Sequence, residues 1–465
     1  MIGAARQWAS DILYRVETDR SYANLSLQEA LRRAQLSPRD KALCTLLVYG
    51  TLQRQRALDA VLQQHSRQPL TKLNLRVLTI LRMTAYQVLY LDKVPPYAAV
   101  NDGVELCKKA QPKATGFVNA VVRSLLRDGR SVEDRLRALS EGKPWAEQVG
   151  LRLSYPTWLV ARLAEVYGRD RTEAILAAGN EAVPLSVRVN SLRTSPEHVI
   201  ERLREMDGQA SLSPVSPDGI RLSRGLDVGS WDAWLDGEVT VQDEGAMLIA
   251  PLLQLTEQMQ VLDLCAAPGG KTTHIAELQR DKGQITAGDI HPHKLRLIEE
   301  SALRLQLHTI AVEALDGRAV SLRTEWLNHF DAVLVDAPCS GFGVLRHRPD
   351  VRWQRSSDDV EALAKLQTEL LSAAIDVVRP GGVVVYSTCT LLPEENEQVV
   401  EAVLERWHGE VVCDDLHSDL PAAVAPLVAR NRLFPDALLT PEQFGTDGFY
   451  MARLRKKENV HASPV

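Results

Sequence analysis

The stretch Gln260-Val261-Leu262-Asp263-Leu264-Cys265-Ala266-Ala267-Pro268-Gly269-Gly270-Lys271-Thr272-Thr273-His274-Ile275 decides the fold. A short apolar run, a turn built on Pro268, Gly269 and Gly270, and a helical pattern form one strand–turn–helix unit. The order then repeats. GQITAGDIHPHKLRLIEESALRLQL (283–307) is a second unit, and IAVEALDG (310–317) and FDAVLVDAPCSG (330–341) read as strands ending in polar loops. A helix is expected at about 359–378, broken by Pro380-Gly381-Gly382, and GVVVYSTCT (382–390) is a further buried strand. Short β-rich runs alternating with helices predict a parallel, doubly wound sheet. Its ligand belongs at the carboxyl ends of the strands, where the polar motifs cluster.

Outward from this core the chain changes character. Residues 1–140 read as all helix: Leu27, Ala30, Leu31 and Ala34 form one apolar stripe, and Ser37-Pro38-Arg39-Asp40 reads as a cap, a first helical proline and an acid in the first turn. Helical spacing returns in 73–91, which Val94-Pro95-Pro96 ends, and 116–130 closes a bundle. Residues 145–235 are less regular, with SYPTWLVARLAEVYG, a strand at Val187, Val189 and Asn190, and then turn-rich connections, so a small α/β connector is expected there. The domains expected are therefore 1–140, 145–235 and 236–457, followed by a polar tail at 458–465.

Composition bounds the function. With 465 residues, 45% hydrophobic and 25% charged, the chain has room for about three domains and an ordinary globular balance. No apolar run approaches the roughly 18 residues of a membrane helix. The start carries Asp11 and Glu17 and reads as an amphipathic helix, not a signal, so a cytoplasmic location is expected. Residues 1–150 hold 23 Lys+Arg against 14 Asp+Glu, whereas the remainder holds 31 against 46. A basic front on an acidic body points to a polyanionic partner, with a merely solvated helical surface as the plain alternative. Six cysteines form no CxxC pair, so no metal site is expected, and Cys44, Cys107 and Cys413 read as small buried hydrophobes.

The loop Cys265-Ala266-Ala267-Pro268-Gly269-Gly270-Lys271 comes close to a phosphate loop but lacks its first glycine, and Pro268 removes an amide from the cradle. Asp289 lies 20 residues past Gly269 at the end of the next strand, where a carboxylate suits two ribose hydroxyls. Asp316 closes the third strand, at the height of an adenine amino group. A glycine loop with two such acids suggests an adenosine ligand without phosphates, and S-adenosylmethionine fits. Cys339 and Cys389 each stand just past a buried strand beside that loop. A thiolate that adds to C6 of a pyrimidine makes C5 nucleophilic, which allows methylation of an otherwise unreactive carbon. The residues alone leave open which thiol attacks.

The motifs LDLCAAPGGKT, DAPCSGFGVLRHRPDVRW, STCTLLPEENEQVV and TDGFYMARL resemble those of the RNA cytosine-5 methyltransferases often called the Sun or Fmu family. The front resembles the RNA-binding antitermination factor NusB in SPRDKALCTLLVYGTL, LRMTAYQVLYLDKVPPYAAVNDGVELCKK and GFVNAVVRSLLR. Together they are similar to the bacterial 16S ribosomal RNA cytosine-5 methyltransferases over nearly the whole chain. The resemblance implies a Rossmann-like class I methyltransferase domain behind an all-α NusB-like domain, S-adenosylmethionine as cofactor, and 16S RNA, free or in an early assembly particle, as partner of a monomer. It implies Cys389 as nucleophile and Cys339 as the residue of product release, with Asp336 at cytosine N3. Lys271 matches the family's loop lysine, its role open between orienting Asp336 and capping structure. Cys265, Ala266, Ala267, Pro268, Gly269, Gly270, Lys271, Asp289, Asp316 and Asp336 would hold the cofactor. The segment ALDGR departs from the family in lacking a polar residue before Asp316, and Thr390-Leu391-Leu392 is looser than the usual serine. Rival readings are methylation of transfer RNA or large-subunit RNA, and a non-catalytic RNA-binding assembly factor.

Overall fold

Ser37 Oγ accepts from the Asp40 amide and Pro38 takes the first helical position, so helix Pro38–Gln53 begins where the sequence places it. The computed structural model describes residues 2–206, 208–222, 228–429 and 434–458. These fall into two compact units, Met1–Glu181 with Leu345–Arg355, and Ala182–Val344 with Ser356–Val465. Apart from Glu458, the expected polar tail lies outside the described residues.

The first unit is helical throughout, from Ala4–Asp19 to Arg169–Ala178. Its core gathers Ile12, Leu13, Leu47, Leu58, Leu62, Ile80 and Leu81, all essentially inaccessible. Arg82, also buried, is held by both carboxylate oxygens of Asp59 at 2.7 Å and by Glu17 at 2.7 Å, which removes the cost of a bare charge in that core. The unit extends to Glu181, past the 140–145 boundary drawn from sequence, because helices Trp145–Leu153, Thr157–Tyr167 and Arg169–Ala178 pack with it. The returning segment Leu345–Arg355 is anchored inside it. Arg352 has no exposed surface, donates to the carbonyls of Gln53 (3.2 Å) and Ser154 (3.1 Å) and to Asn180 Oδ1 (3.1 Å), and lies 4.0 Å over the Tyr155 ring. With that segment the unit holds 31 Lys+Arg against 19 Asp+Glu, and the second unit 23 against 41.

The second unit contains two sheets. The smaller is antiparallel, in the order β2-β3-β1-β4, from β1 (Leu185–Val189), β2 (Ala210–Leu212), β3 (Gly219–Leu222) and β4 (Val239–Val241). The larger has the order β10-β12-β9-β8-β5-β6-β7, with β11 on β12. Its strands are β5 (Gln260–Asp263), β6 (Gln284–Asp289), β7 (Ile310–Ala314), β8 (Phe330–Asp336), β9 (Val378–Thr388), β10 (Val411–Cys413), β11 (Ala437–Leu439) and β12 (Phe449–Lys456). The five strands from β7 to β9 are parallel, as the alternating strand–helix pattern predicts. The expectation of a wholly parallel sheet fails at the other edge, where β12 runs antiparallel to β9 and carries β10 and β11, also antiparallel. Helix Glu397–Arg406 carries the chain over to β10, which is aligned with β9, and β12 then enters the gap between them from the opposite direction. Pro380-Gly381-Gly382 does not separate helix from strand either. Helix Ser357–Val377 ends one residue before β9, and the triplet lies within β9 at its register shift against β8, Gly381 at φ +80°.

Candidate active site

β5 delivers the chain into a tight loop before helix Gly270–Leu278. Gly269, at φ +102°, caps that helix; a Cβ there would be strained and would sit 3.1 Å from the Ile298 backbone. The Ala267–Pro268 peptide is cis. The loop walls a cleft of about 170 Å³ lined by Gln242, Asp263, Cys265, Ala266, Ala267, Pro268, Gly270, Lys271 and Asp336, among others. The sequence-selected loop residues other than Gly269 therefore meet Asp336 at one place, whose lining does not include Asp289 or Asp316.

The electrostatics of the cleft are acidic. Burial pushes the Cys265 thiol well above the usual range, and the charges of Asp263, Asp336, Asp289 and Asp316 add to the rise. Asp289 ends β6. Its Oδ1 accepts from the His291 amide at 2.8 Å, while Oδ2 meets no donor among the described residues. Asp316 follows β7 and is already engaged: Arg318 grips it at 2.6 Å, and that hydrogen bond holds its carboxyl below the usual range. A loop with a proline in place of an amide, walled by the carboxyl groups of Asp263 and Asp336, is a poor seat for phosphates. It fits a ligand that brings positive charge and hydroxyl donors, as the sulfonium and ribose of S-adenosylmethionine do.

Asp263 escaped the sequence reading. It is buried, its Oδ2 accepts from Thr272 Oγ1 at 2.7 Å, and burial raises its carboxyl to about 7, with Asp336 adding to the rise and Thr272 and Lys271 opposing it. The signal was an acid inside the apolar run Val261–Leu264, which demands a partner. Arg188 was also missed. On β1 and fully buried, it forms a fork with Glu277 (3.0 and 2.7 Å) and donates to the Gly270 carbonyl at 2.7 Å, tying the small sheet to the first turn of the loop helix.

At the end of β8, Asp336 is held from two sides. Lys271 Nζ donates to Oδ2 at 2.7 Å and Ser387 Oγ to Oδ1 at 2.8 Å. Lys271 also lies 4.8 Å over the Phe449 ring. Of the two roles left open for the lysine, the geometry displays the pairing with Asp336. Past β8 and β9 the two selected cysteines converge, with Cys339 Sγ and Cys389 Sγ 3.2 Å apart and both half-buried. The contact with Cys389 and burial push Cys339 well above the thiol range. Glu395, buried and raised by that burial, accepts from the Ser340 amide (2.7 Å), Ser340 Oγ (2.5 Å) and Gln367 Nε2 (3.0 Å). Ser340 Oγ lies 2.8 Å from Thr390 Oγ1, so one network holds both cysteine loops. Gly343 closes them, donating to the Cys389 carbonyl at 2.8 Å where a Cβ would sit 2.7 Å from that oxygen. Cys44 and Cys107 are buried, and burial pushes Cys44 up to about 11.

Comparison with known proteins follows this layout. Residues 250–455 match the family model of the 16S rRNA methyltransferase RsmB/F, residues 3–127 that of the NusB family, and residues 155–229 the ferredoxin-like domain of RsmF/B-like methyltransferases. The chain is 36% identical to a probable ribosomal RNA small subunit methyltransferase B of Bacillus subtilis, over 98% of this chain and 99% of that one. It is 35% identical to the ribosomal RNA small subunit methyltransferase B of Pseudomonas syringae, over 96% of each. A crystal structure of a methyltransferase homologue from Pyrococcus horikoshii superposes with a TM-score of 0.57 at 29% identity, over 68% of this chain and 99% of that one.

Proposed function

This chain belongs to the 16S rRNA methyltransferase RsmB/F family, and on that footing we propose that it methylates C5 of a cytosine in 16S ribosomal RNA from S-adenosylmethionine, through a covalent bond between Cys389 and C6. The observation that carries this reading is the pair of thiols 3.2 Å apart beside a doubly held carboxylate. S-adenosylmethionine, when bound, supplies a methyl group on a sulfonium. Cys265, Ala266, Ala267, Pro268, Gly269, Gly270 and Asp289 are the residues to hold it, the carboxylate of Asp289 accepting from ribose hydroxyls. Asp316, committed to Arg318, is the weakest member of that set.

The chain's own residues supply the rest. Cys389 sulfur donates an electron pair to C6, and N3, which gains the displaced charge, takes a proton from water and donates that N–H to the Asp336 carboxylate, the proton returning to water once C5 is methylated. Lys271 and Ser387 fix both oxygens of Asp336, so its orientation needs no rearrangement during attack. Before attack, the contact with Cys389 and burial favour the protonated thiol at Cys339. Once the Cys389–C6 bond exists, that contact is gone, and Cys339 can release its proton to water. It then takes the proton from C5, and the electron pair of the C5–H bond restores the ring double bond as the C6–sulfur bond breaks. Intact cysteines at both positions favour an enzyme over a non-catalytic assembly factor.

The test is to map 5-methylcytidine in 16S rRNA from cells with and without the gene. One site is expected to vanish with the gene and return with the wild-type copy. An unchanged 16S map with a loss in transfer RNA or large-subunit RNA would overturn the assignment of substrate.

A further inference from the structure

Gln242, directly after β4, is more than nine-tenths buried and lines the cleft at the loop helix. Its backbone is fixed to β1, donating to the Ser186 carbonyl at 3.3 Å and accepting from Ser186 Oγ at 2.7 Å. Its side chain is fixed as well, because Arg188 donates to Oε1. Arginine has only donors, so this contact settles which end of the amide is oxygen. Nε2 is left over. It has no hydrogen-bond partner among the described residues, and a Cβ built on Gly270 would lie 4.0 Å from it. An unmet buried donor is costly, and Arg188, itself locked by Glu277 and Gly270, prevents this one from turning away.

The ligand group that answers this donor must be an acceptor at the Gly270 end of the cleft. Elsewhere the charged side chains of the cleft are Asp263, Asp336 and Lys271, the lysine already committed to Asp336, so an anionic group finds no free cation there. At the Gly270 end the first-turn amides of a nine-residue helix have no intrahelical acceptor. We propose that Gln242 Nε2 hydrogen-bonds the carboxylate of the amino-acid end of S-adenosylmethionine, with Arg188 as the positioning residue that aims it. The cleft then sorts its ligand by charge, sulfonium toward the carboxylates and carboxylate toward Gln242. This inference rests on the cofactor reading above.

Calorimetry on the full chain separates the two. S-adenosylhomocysteine carries the amino-acid end, and 5′-methylthioadenosine is the same nucleoside thioether without it. Gln242→Leu should weaken S-adenosylhomocysteine about tenfold, as expected for one hydrogen bond to a charged group, and leave 5′-methylthioadenosine within about twofold. Gln242→Glu keeps an acceptor for Arg188, so it preserves the local fold, yet it should weaken S-adenosylhomocysteine at least as much by setting carboxylate against carboxylate. Unchanged affinity for S-adenosylhomocysteine in both variants, or equal losses for both ligands, would overturn the assignment of Gln242. Failure of the wild-type chain to bind S-adenosylhomocysteine at all would overturn the cofactor reading and this inference with it.

Discussion

Cys339 Sγ and Cys389 Sγ lie 3.2 Å apart although 50 residues separate them and each ends a different parallel strand of the same sheet. β8 and β9 are hydrogen-bonded neighbours, with Asp336 opposite Ser387, so the residues three and two places further on emerge side by side. Glu395 then ties the two loops through Ser340, and Gly343 lets their backbones close. The pair is thus a product of strand order.

Asp289 Oδ1 accepts from the His291 amide, while Oδ2 meets no donor among the described residues. Asp289→Ala should weaken S-adenosylmethionine by about tenfold or more, roughly the 1.5–3 kcal/mol of hydrogen bonds to a charged acceptor. Asp289→Asn, which keeps an acceptor for the His291 amide, should lose less. Calorimetry on both variants checks this, and equal affinity in wild type and Asp289→Ala would remove the residue from the site.

Asp263 makes stability depend on pH in a stated direction. Its folded carboxyl is raised to about 7, above the roughly 3.9 of an unfolded aspartate, so between those values the folded state binds more protons. Stability should therefore fall as pH rises from about 4 to 7, by an amount of order a few kcal/mol from this group alone. Asp263→Asn, which can still accept from Thr272, should flatten the change. Melting temperatures of both proteins across that range, in one ionic strength, test the sign; a wild-type profile parallel to that of Asp263→Asn would place the carboxyl at its ordinary value.

The helical unit carries a groove of about 490 Å³ lined by Arg67, Gln68, Lys72, Asn74, Gln111, Lys113 and Phe117 among others, and no acidic residue lines it. All three cations are exposed. Reversing them together, as Arg67→Glu, Lys72→Glu and Lys113→Glu, should weaken RNA binding and reduce the slope of log affinity against log salt by about 2 if each meets one phosphate of a single strand. Cofactor affinity should not change. Filter binding over a salt series measures the slope, and an unaltered slope would place the RNA elsewhere.

Much of this site was legible in one dimension because its residues stand at strand ends. Loop glycines, Asp289, Asp336 and both cysteines follow apolar runs, and the rule that open sheets bind ligands at their carboxyl edge gathers them. What escaped was pairing between distant elements. Nothing near Arg188 in sequence announces Glu277, 89 residues on, and nothing near Gln242 announces Arg188. The antiparallel place of β12 was equally hidden, since its residues would suit either direction. Arg352 looked like part of the methyltransferase motif and proves to anchor Leu345–Arg355 in the helical unit, a fact of tertiary contact alone.

The most direct test is to trap the intermediate. Each cysteine variant is incubated with substrate RNA and S-adenosylmethionine and run on denaturing electrophoresis. Cys389→Ala should form no covalent adduct, because attack on C6 never occurs. Cys339→Ala should attack and transfer the methyl but fail to eliminate, so a complex with methylated RNA should accumulate and survive denaturation. The double variant should behave like Cys389→Ala. An adduct that forms with Cys389→Ala and is absent with Cys339→Ala would contradict the account and reverse the two roles.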